Sequence, residues 1–121
     1  MFEMKPYEIW LARLPKGCER HLSVRRPVVL VSEPTAEGWV SVVPCTSNLT
    51  DAQQPTHVLL QEQGLDRDSR ALCERVQTVQ DSCLVRRIGY VHQPFDRYAL
   101  HHALACHFGL GVFEGQAPFE F

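Results

Sequence analysis

The stretch Pro27-Val28-Val29-Leu30-Val31 decides the fold class, because a continuous apolar run of this length is typical of a strand buried on both faces. Similar stretches lie on either side of it. Residues 7–13 and 39–43 are rich in aromatic and branched side chains, and turn residues separate both from the central run. We therefore predict three strands here, and we expect Pro44 to end the third strand or to mark a bulge.

The later strands are short and closely spaced, and we place them at residues 56–60, 70–74, 76–79 and 88–91. The first of them alternates only weakly and predicts an edge strand. The second and third are interpreted as one bent strand or two short ones. Asp81 is suited to cap a short helix over residues 82–86.

From Pro94 onward the pattern predicts a single helix that ends at Gly109 or Gly111. Six residues recur at steps of three and four, so we expect their shared face to pack against the sheet: Phe95, Tyr98, Ala99, His102, Ala103 and Cys106. His102 and Cys106 also have the spacing of metal ligands. Two ligands do not make a site, and we predict no metal centre and no cofactor.

These elements predict one domain over residues 1–121. Because no helices alternate with the strands, we expect a small antiparallel barrel or curled sheet followed by one helix. The tail at residues 112–121 contains three phenylalanines, and we expect it either to dock on the body or a partner or to fray.

The composition, with 45% apolar and 21% charged residues, is that of a globular protein. No apolar run approaches the roughly 18 residues that span a bilayer, and the N-terminus lacks the order of a signal peptide. We therefore expect a cytoplasmic protein with no membrane partner.

The five cysteines are an odd number without a CxxC pair, which indicates reduced thiols. The net charge of −2 argues mildly against nucleic-acid binding, but a basic cluster lies at Lys16, Arg20, Arg25 and Arg26.

Several motifs follow one another along the chain: Glu8-Ile9-Trp10, Arg26 to Val31, Val43-Pro44-Cys45-Thr46-Ser47-Asn48, Pro55-Thr56-His57-Val58, Gly64 to Ser69, Ala71-Leu72-Cys73-Glu74 and Phe108-Gly109-Leu110. Together they resemble the MazF/PemK/Kid toxins over residues 7–110. The resemblance implies a dimeric SH3-like β-barrel that cuts single-stranded RNA without metal. It also implies an antitoxin protein that blocks the groove.

Three residues are our candidates for catalysis. Arg26 lies where a loop enters a strand, and by resemblance it stabilises the charged transition state; a surface arginine paired with a carboxylate is the alternative. Thr46 has a hydroxyl to donate to a phosphate oxygen, or it is a turn residue that bonds its own backbone. Glu74 ends an apolar run, so we expect burial to raise its pKa toward that of a base; orienting Arg26 or a structural ion pair are its alternatives.

Eight further residues are candidates for contact with RNA: Glu19, Arg20, Arg25, Ser47, Asn48, His57, Arg75 and Gln77. For His57, stacking or hydrogen bonding to a base is one interpretation, and an exposed strand histidine without a role is the other; its pKa also suits a general base. Where the family often has Gln, an aliphatic residue and Arg after the acidic residue, this chain has Arg75-Val76-Gln77.

Two other functions stay open. A CcdB-type toxin resembles this architecture and poisons DNA gyrase by protein contact, and the apolar tail fits that possibility. An inactive SH3-like domain that retains only antitoxin binding is the third hypothesis, because the exchanged Arg75 and Gln77 lie near the expected groove.

Overall fold

The computed structural model describes residues 3–14 and 25–110 of the chain. The described part contains strands β1 Glu8–Arg13, β2 Arg25–Leu30, β3 Trp39–Thr46, β4 His57–Leu60, β5 Ser69–Leu72, β6 Gln77–Gln80 and β7 Leu84–Tyr90, then helix α1 Pro94–Phe108. Short 3₁₀ turns at Cys73–Arg75 and Asp81–Cys83 separate the last three strands. No helix in these residues has the length and hydropathy that a membrane crossing requires.

All strand pairs are antiparallel, and the order across the sheet is β4-β5-β3-β2-β1-β7, with β6 pairing to the first half of β3. The predicted class, an antiparallel β structure with a C-terminal helix, is confirmed. Within the described residues the sheet remains open rather than closing into a complete barrel. The edge position predicted for residues 56–60 is also correct, since β4 lies at one end of the order.

The core has two parts, one on each face of the central strands. Val29 and Val43 belong to the part that also contains Leu100 of α1, whereas Val28 and Leu30 belong to the part around Trp10. Neighbouring residues of β2 thus point to opposite faces and are buried on both, as the apolar run predicts.

Pro44 neither ends β3 nor marks a bulge, because the strand continues to Thr46. On one side β3 pairs with β6 as far as Val42, and with β5 from Cys45 onward. Pro44 therefore lies in the gap between two partners, where the missing N–H removes no ladder hydrogen bond on that side.

The short helix predicted for residues 82–86 is wrong. Asp81 begins a 3₁₀ turn, and Leu84 already starts β7, which pairs with β1 through Ala12↔Leu84 and Leu11↔Arg86. The backbone of β1 needs a partner on this side, and that long-range requirement overrides the local capping signal.

The bounds predicted for α1 are confirmed, with Pro94 in its first turn and Gly109 as a left-handed cap. The predicted packing face is correct only in part. Ala103 is buried and Ala99 packs against the core, as expected, but Phe95 and Tyr98 are 78% and 69% exposed. The buried Leu100 lies outside the predicted face. Polar contacts of the first turn set the rotation of the helix.

Gln63 donates to Asp96 across 2.9 Å, and the Nε of Arg97 donates to the Val91 carbonyl across 2.6 Å. The Arg97 guanidinium also lies 4.5 Å from the centre of the Tyr7 ring. These contacts turn residues 96 and 97 inward and leave the aromatic side chains on the outer face.

Candidate active site

Two depressions meet at the end of β3. The first, which we call the Glu74 pocket, has a volume of about 290 Å³ and is lined by Thr46, Asn48, Asp51, Ala52, Gln54, His57, Arg70, Leu72, Glu74 and Arg75. The second, which we call the arginine groove, has a volume of about 630 Å³. Its lining comprises Leu11, Arg26, Pro27, Cys45, Ser47, Gly64, Leu65, Asp66, Arg67, Ser69, Arg86, Arg87 and Ile88.

Glu74 lies in the 3₁₀ turn that follows β5, and neighbours hold both of its carboxylate oxygens. The Thr56 hydroxyl donates to Oε1 across 2.8 Å, and His57 Nε2 lies 3.1 Å from Oε2. The Arg75 guanidinium stands at 4.0 Å from Oε2. The buried Cys73 beside it anchors the turn, so the position of the carboxylate is fixed from several directions.

The pKa of Glu74 is lowered, which is opposite to the direction that we expected from burial. Partial burial raises this pKa, but hydrogen bonds from the Thr56 hydroxyl, the backbone N–H of Glu74 and the His57 ring lower it by more. Glu74 is therefore ionised at neutral pH. In this state it accepts hydrogen bonds well but is a weak base.

His57 is oriented by its second ring nitrogen. The backbone N–H of Gln54 donates to Nδ1 across 3.2 Å, so Nδ1 carries no proton and Nε2 is the nitrogen that donates to Glu74. The His57 side chain is only 9% exposed, unlike the exposed strand histidine that was one of our expectations. In this arrangement both nitrogens are engaged, and the ring positions Glu74.

Arg26 is half-buried, and its Nη1 donates to the carbonyl oxygen of Cys45 across 3.3 Å. The β2–β3 register pairs Val28 with Pro44. Arg26 and Thr46 each lie two residues beyond this pair, at the same end of the two strands. The guanidinium thus lies beside the peptide group that precedes Thr46, although its head lines the arginine groove while Thr46 lines the Glu74 pocket.

The Thr46 hydroxyl accepts a hydrogen bond from the backbone N–H of Asn48 across 3.1 Å, which is the turn geometry that we considered as its alternative. A hydroxyl that accepts through oxygen still carries its own hydrogen to donate. The turn therefore fixes the oxygen of Thr46 without using up its ability to donate to a phosphate.

The predicted RNA contacts fall in different places. Ser47 lines the arginine groove, while Asn48, His57 and Arg75 line the Glu74 pocket. Arg25 is exposed at the start of β2, and Gln77 pairs with Val42 at the start of β6. Glu19, Arg20 and the tail at residues 112–121 lie outside the residues that the structure describes.

Sequence reasoning missed several residues that shape these depressions. Thr56 lies in the motif Pro55-Thr56-His57-Val58, which assigns no partner to its hydroxyl. The role of Gln54 depends on its backbone, so no side-chain signal reveals it. Arg70 donates to the carbonyls of Asp51 and Leu49 across 2.7 and 3.1 Å and so holds the loop beside the pocket. Arg86 was not identified as a groove residue because residues 82–86 were predicted to form a helix and not strand β7.

Two buried thiols lie behind the candidate residues. Burial raises the pKa of Cys45 and of Cys73 to about 12 each. Both thiols are free, and in the chain they directly precede the pocket residues Thr46 and Glu74.

Among residues 3–14 and 25–110, no three histidine, cysteine, aspartate or glutamate side chains are grouped so as to hold a metal ion.

Comparison with known proteins gives one family and a consistent set of structures. The family model for the PemK-like, MazF-like toxin of type II toxin–antitoxin systems matches residues 5–100. The Mycobacterium tuberculosis toxin MazF-mt6 is 27% identical, with a TM-score of 0.68 over 84% of this chain and 96% of that one. The comparison with curated protein sequences found no match to the chain.

Two more distant structures share the fold. A mycobacterial endoribonuclease solved in complex with its cognate antitoxin is 21% identical, with a TM-score of 0.70 over 88% of this chain and 96% of that one. MazF from Deinococcus radiodurans is 15% identical, with a TM-score of 0.74 over 90% of this chain and 99% of that one.

Proposed function

The chain belongs to the PemK-like, MazF-like toxin family of type II toxin–antitoxin systems, and we propose that it is a metal-independent endoribonuclease that cleaves single-stranded RNA, such as mRNA, at a short sequence. The family model covers most of the chain, and one mycobacterial structure of the same fold is itself an endoribonuclease. The hydrogen bond that holds the Arg26 guanidinium beside the peptide group preceding Thr46 is the single structural observation that supports the proposal.

The reaction is attack by the 2′-hydroxyl of one nucleotide on the phosphorus that follows it. The bond from the 2′-oxygen to phosphorus forms, the bond from phosphorus to the 5′-oxygen breaks, and the product is a 2′,3′-cyclic phosphate. A base removes the 2′ proton and an acid gives a proton to the departing 5′-oxygen. DNA lacks the attacking hydroxyl, so the chemistry selects RNA.

Arg26 supplies positive charge to the phosphate oxygens as the pentacoordinate phosphorus forms. A guanidinium is planar and permanently charged, and its donors match phosphate geometry. Its bond to the Cys45 carbonyl fixes the head before substrate arrives, so little reorganisation is required in the transition state. Thr46 adds a hydroxyl donor to the same phosphate from the adjoining strand.

Glu74 is the candidate acceptor of the 2′ proton, and its ionised state at neutral pH fits that role even though its lowered pKa makes it a modest base. His57 and Thr56 are positioning residues that hold the carboxylate. Asn48 and Arg75 line the same pocket and are candidates for contact with the RNA.

The partners follow from the family. One relative was solved with its cognate antitoxin, and we propose an antitoxin protein for this chain as well. We further propose a single toxin domain that works as a homodimer in the cytoplasm, where mRNA is available. Glu19 and Arg20, which lie outside the residues that the structure describes, belong to this proposal as RNA contacts.

The test is incubation of the purified protein with mixed single-stranded RNA in excess chelator, followed by mapping of the cut ends. We expect cleavage with cyclic phosphate ends, and a single 2′-deoxy substitution at the cut site should abolish it. Arg26→Ala should lower the rate by at least about 100-fold. Lys5→Gln, which removes an exposed positive charge away from both depressions, should cleave at the wild-type rate.

Cleavage that requires added metal, or an Arg26→Ala variant as fast as wild type, would show that this mechanism is wrong. A circular-dichroism spectrum and a melting curve for each variant separate loss of chemistry from loss of folding. Arg26→Lys keeps the charge but not the planar fork, so it should recover only part of the rate.

A toxin that binds DNA gyrase, as the CcdB type does, is the second candidate. Phe95 and Tyr98 of α1 are exposed beside Leu59 of β4, and they line an open groove of about 600 Å³. Exposed aromatic patches of this kind mark protein-binding surfaces. Recovery of gyrase with the immobilised protein, together with intact RNA, would favour this candidate over the nuclease.

A further inference from the structure

The arginine groove runs outward from the candidate site. It starts at Arg26 and Ser47, and its far walls are formed by β7, around Arg86, and by the loop at residues 64–67. Leu11 of β1 faces both Pro27 and Arg86 in the strand registers. Since neighbouring strands lie about 4.8 Å apart, the backbone at Arg86 is about 10 Å from the backbone beside Arg26.

The arginines of this groove differ in what holds them. Arg87 is paired with the buried Glu8 across 3.2 Å, and Arg26 donates to the Cys45 carbonyl. Arg67 and Arg86 are exposed, and neither guanidinium makes a hydrogen bond or ion pair with any residue of the described ranges. Four arginines and one carboxylate residue, Asp66, line this concavity, and this excess of positive charge attracts anions.

We propose that the arginine groove binds the RNA backbone next to the cleaved bond, and that Arg86 and Arg67 contact phosphates that flank the scissile one. This inference rests on the proposed ribonuclease function, because it identifies the ligand from the continuity of the groove with Arg26. Guanidinium groups are suited to phosphate oxygens, and a groove that leads away from a cleavage site must receive the rest of the strand.

Asp66 indicates why the ligand is a nucleotide and not a simple anion. Asp66 belongs to the same lining, and its carboxylate repels a phosphate placed beside it. A carboxylate accepts hydrogen bonds from the amino groups of bases. The groove therefore offers donors for the backbone and an acceptor for a base edge, which is the combination that one strand of RNA presents.

The first test measures binding without cleavage. The probe is a single-stranded RNA that contains the mapped cut site with a 2′-deoxy nucleotide there, and affinity is measured at several salt concentrations. Arg86→Gln and Arg67→Gln should each weaken binding by about 3- to 10-fold in low salt. Each should also reduce the slope of log K against log salt by about 0.7, the value for one lost phosphate contact with a single strand.

Lys5→Gln removes one positive charge outside the groove and is the matched control, so its salt slope should equal that of wild type. At saturating RNA the Arg86→Gln and Arg67→Gln variants should cleave within about threefold of the wild-type rate, because they bind phosphates that do not react. A raised KM with an unchanged kcat distinguishes these two variants from Arg26→Ala, which lowers kcat.

The second test locates the contact. One phosphate at a time is replaced by an uncharged methylphosphonate, and each probe is bound by wild type and by Arg86→Gln. The losses of binding free energy caused by Arg86→Gln and by the methylphosphonate should be non-additive at one flanking phosphate and additive at the others. Non-additivity at the scissile phosphate alone, or unchanged RNA binding with weakened antitoxin binding, would overturn the proposal.

The two proposals fail in different ways. If wild type cleaves no RNA, the ribonuclease function is wrong, and the same salt titration with a mixed-sequence single-stranded RNA still decides whether Arg86 and Arg67 bind a strand. If wild type cleaves and neither variant changes affinity or salt slope, the groove inference is wrong while the ribonuclease function stands.

Discussion

Gly64 and Gly89 lie directly against each other between the loop that follows β4 and strand β7. A Cβ atom on Gly64 would stand 2.2 Å from the Ile88 carbonyl oxygen, and one on Gly89 would stand 2.0 Å from the Gln63 carbonyl oxygen. Real Cβ contacts are never this short, so the two backbones touch only because both side chains are missing. This contact fixes the loop wall of the arginine groove.

Alanine at either position should therefore destabilise the protein. Gly89→Ala forces the loop away from β7, at a cost of about 1–3 kcal/mol that is typical of overpacking. Gly64→Ala should cost more, because Gly64 also has a φ of +101° that disfavours a side chain. Urea unfolding at neutral pH measures both free energies.

Gly109→Ala is the control for this pair. Gly109 has a φ of +73°, but a Cβ added there would meet nothing within 4 Å. The free energy of unfolding of Gly109→Ala should fall only by the conformational cost of a side chain at positive φ, about 1 kcal/mol. If Gly89→Ala were less destabilising than Gly109→Ala, the backbone contact would not be as close as the structure shows.

The second prediction concerns the pH dependence that Glu74 contributes. Burial raises its pKa, but hydrogen bonds from Thr56, the backbone and His57 lower it overall below the reference of 4.5. A carboxyl with a lower pKa in the folded state stabilises the fold above its unfolded pKa and loses that effect as pH falls through the folded pKa. The stability difference between wild type and Glu74→Gln should be constant above about pH 4.5 and should shrink in more acidic solution.

Urea unfolding from pH 3 to pH 7 provides the measurement. Glu37→Gln changes an exposed loop carboxylate by the same chemistry and serves as the matched control. A difference between wild type and Glu74→Gln that grows on acidification would mean that the bonds from Thr56 and His57 do not favour the charged carboxylate.

Much of the fold was predictable, because the strongest patterns are local. The apolar run of β2 and the terminal signals of α1, Pro94 and Gly109, specify those elements without help from distant residues. The rotation of α1 was not predictable. It depends on the bond from Gln63 to Asp96, which joins residues 33 positions apart, and helical spacing contains no information about such a contact.

The candidate site was predictable in part for the same reason. Thr46, Glu74 and His57 were chosen from motifs, and the structure brings them into one pocket. The partners of Glu74 were not foreseen, and they reverse the expected direction of its pKa shift. Burial can be guessed from an apolar run, but a hydroxyl from Thr56, 18 residues away, can only be found in three dimensions.

The third prediction separates the two properties of the Thr46 hydroxyl. Thr46→Ser keeps an oxygen that accepts from Asn48 and a hydrogen that reaches the phosphate, so it should cleave within about tenfold of wild type. Thr46→Val keeps the shape of the side chain but loses both the accepting oxygen and the donated hydrogen. The cleavage rate should fall by about 100-fold, as when one fixed donor to a developing charge is removed. Initial rates on one RNA, with melting curves for each variant, give the comparison.

Stability should change much less than activity, because Thr46 is partly exposed and the lost turn bond is worth about 1 kcal/mol. A Thr46→Val variant that cleaves at the wild-type rate would leave the hydroxyl with its turn role alone. Equal losses of rate in both variants would point to the shape of the side chain instead of its hydroxyl.

The fourth prediction concerns the two buried thiols. Burial raises the pKa of Cys45 and Cys73 from 9.0 to about 12, so near neutral pH each holds about a thousandfold less thiolate than an ordinary cysteine. Because the thiolate is the reactive form, iodoacetamide at pH 8 should modify the exposed Cys106 and leave both buried thiols unmodified until urea unfolds the chain.

Peptide mapping by mass spectrometry resolves the sites, with Cys106 as the internal reference. The raised pKa values also set a direction for stability, because thiols that resist ionisation in the fold stabilise it fully below pH 9 and less as pH rises toward 12. Replacing both buried cysteines with alanine should flatten that alkaline loss relative to wild type. Labelling of Cys45 at the rate of Cys106 in the folded protein would mean that the core behind Thr46 opens readily, and that Arg26 is anchored to a mobile strand.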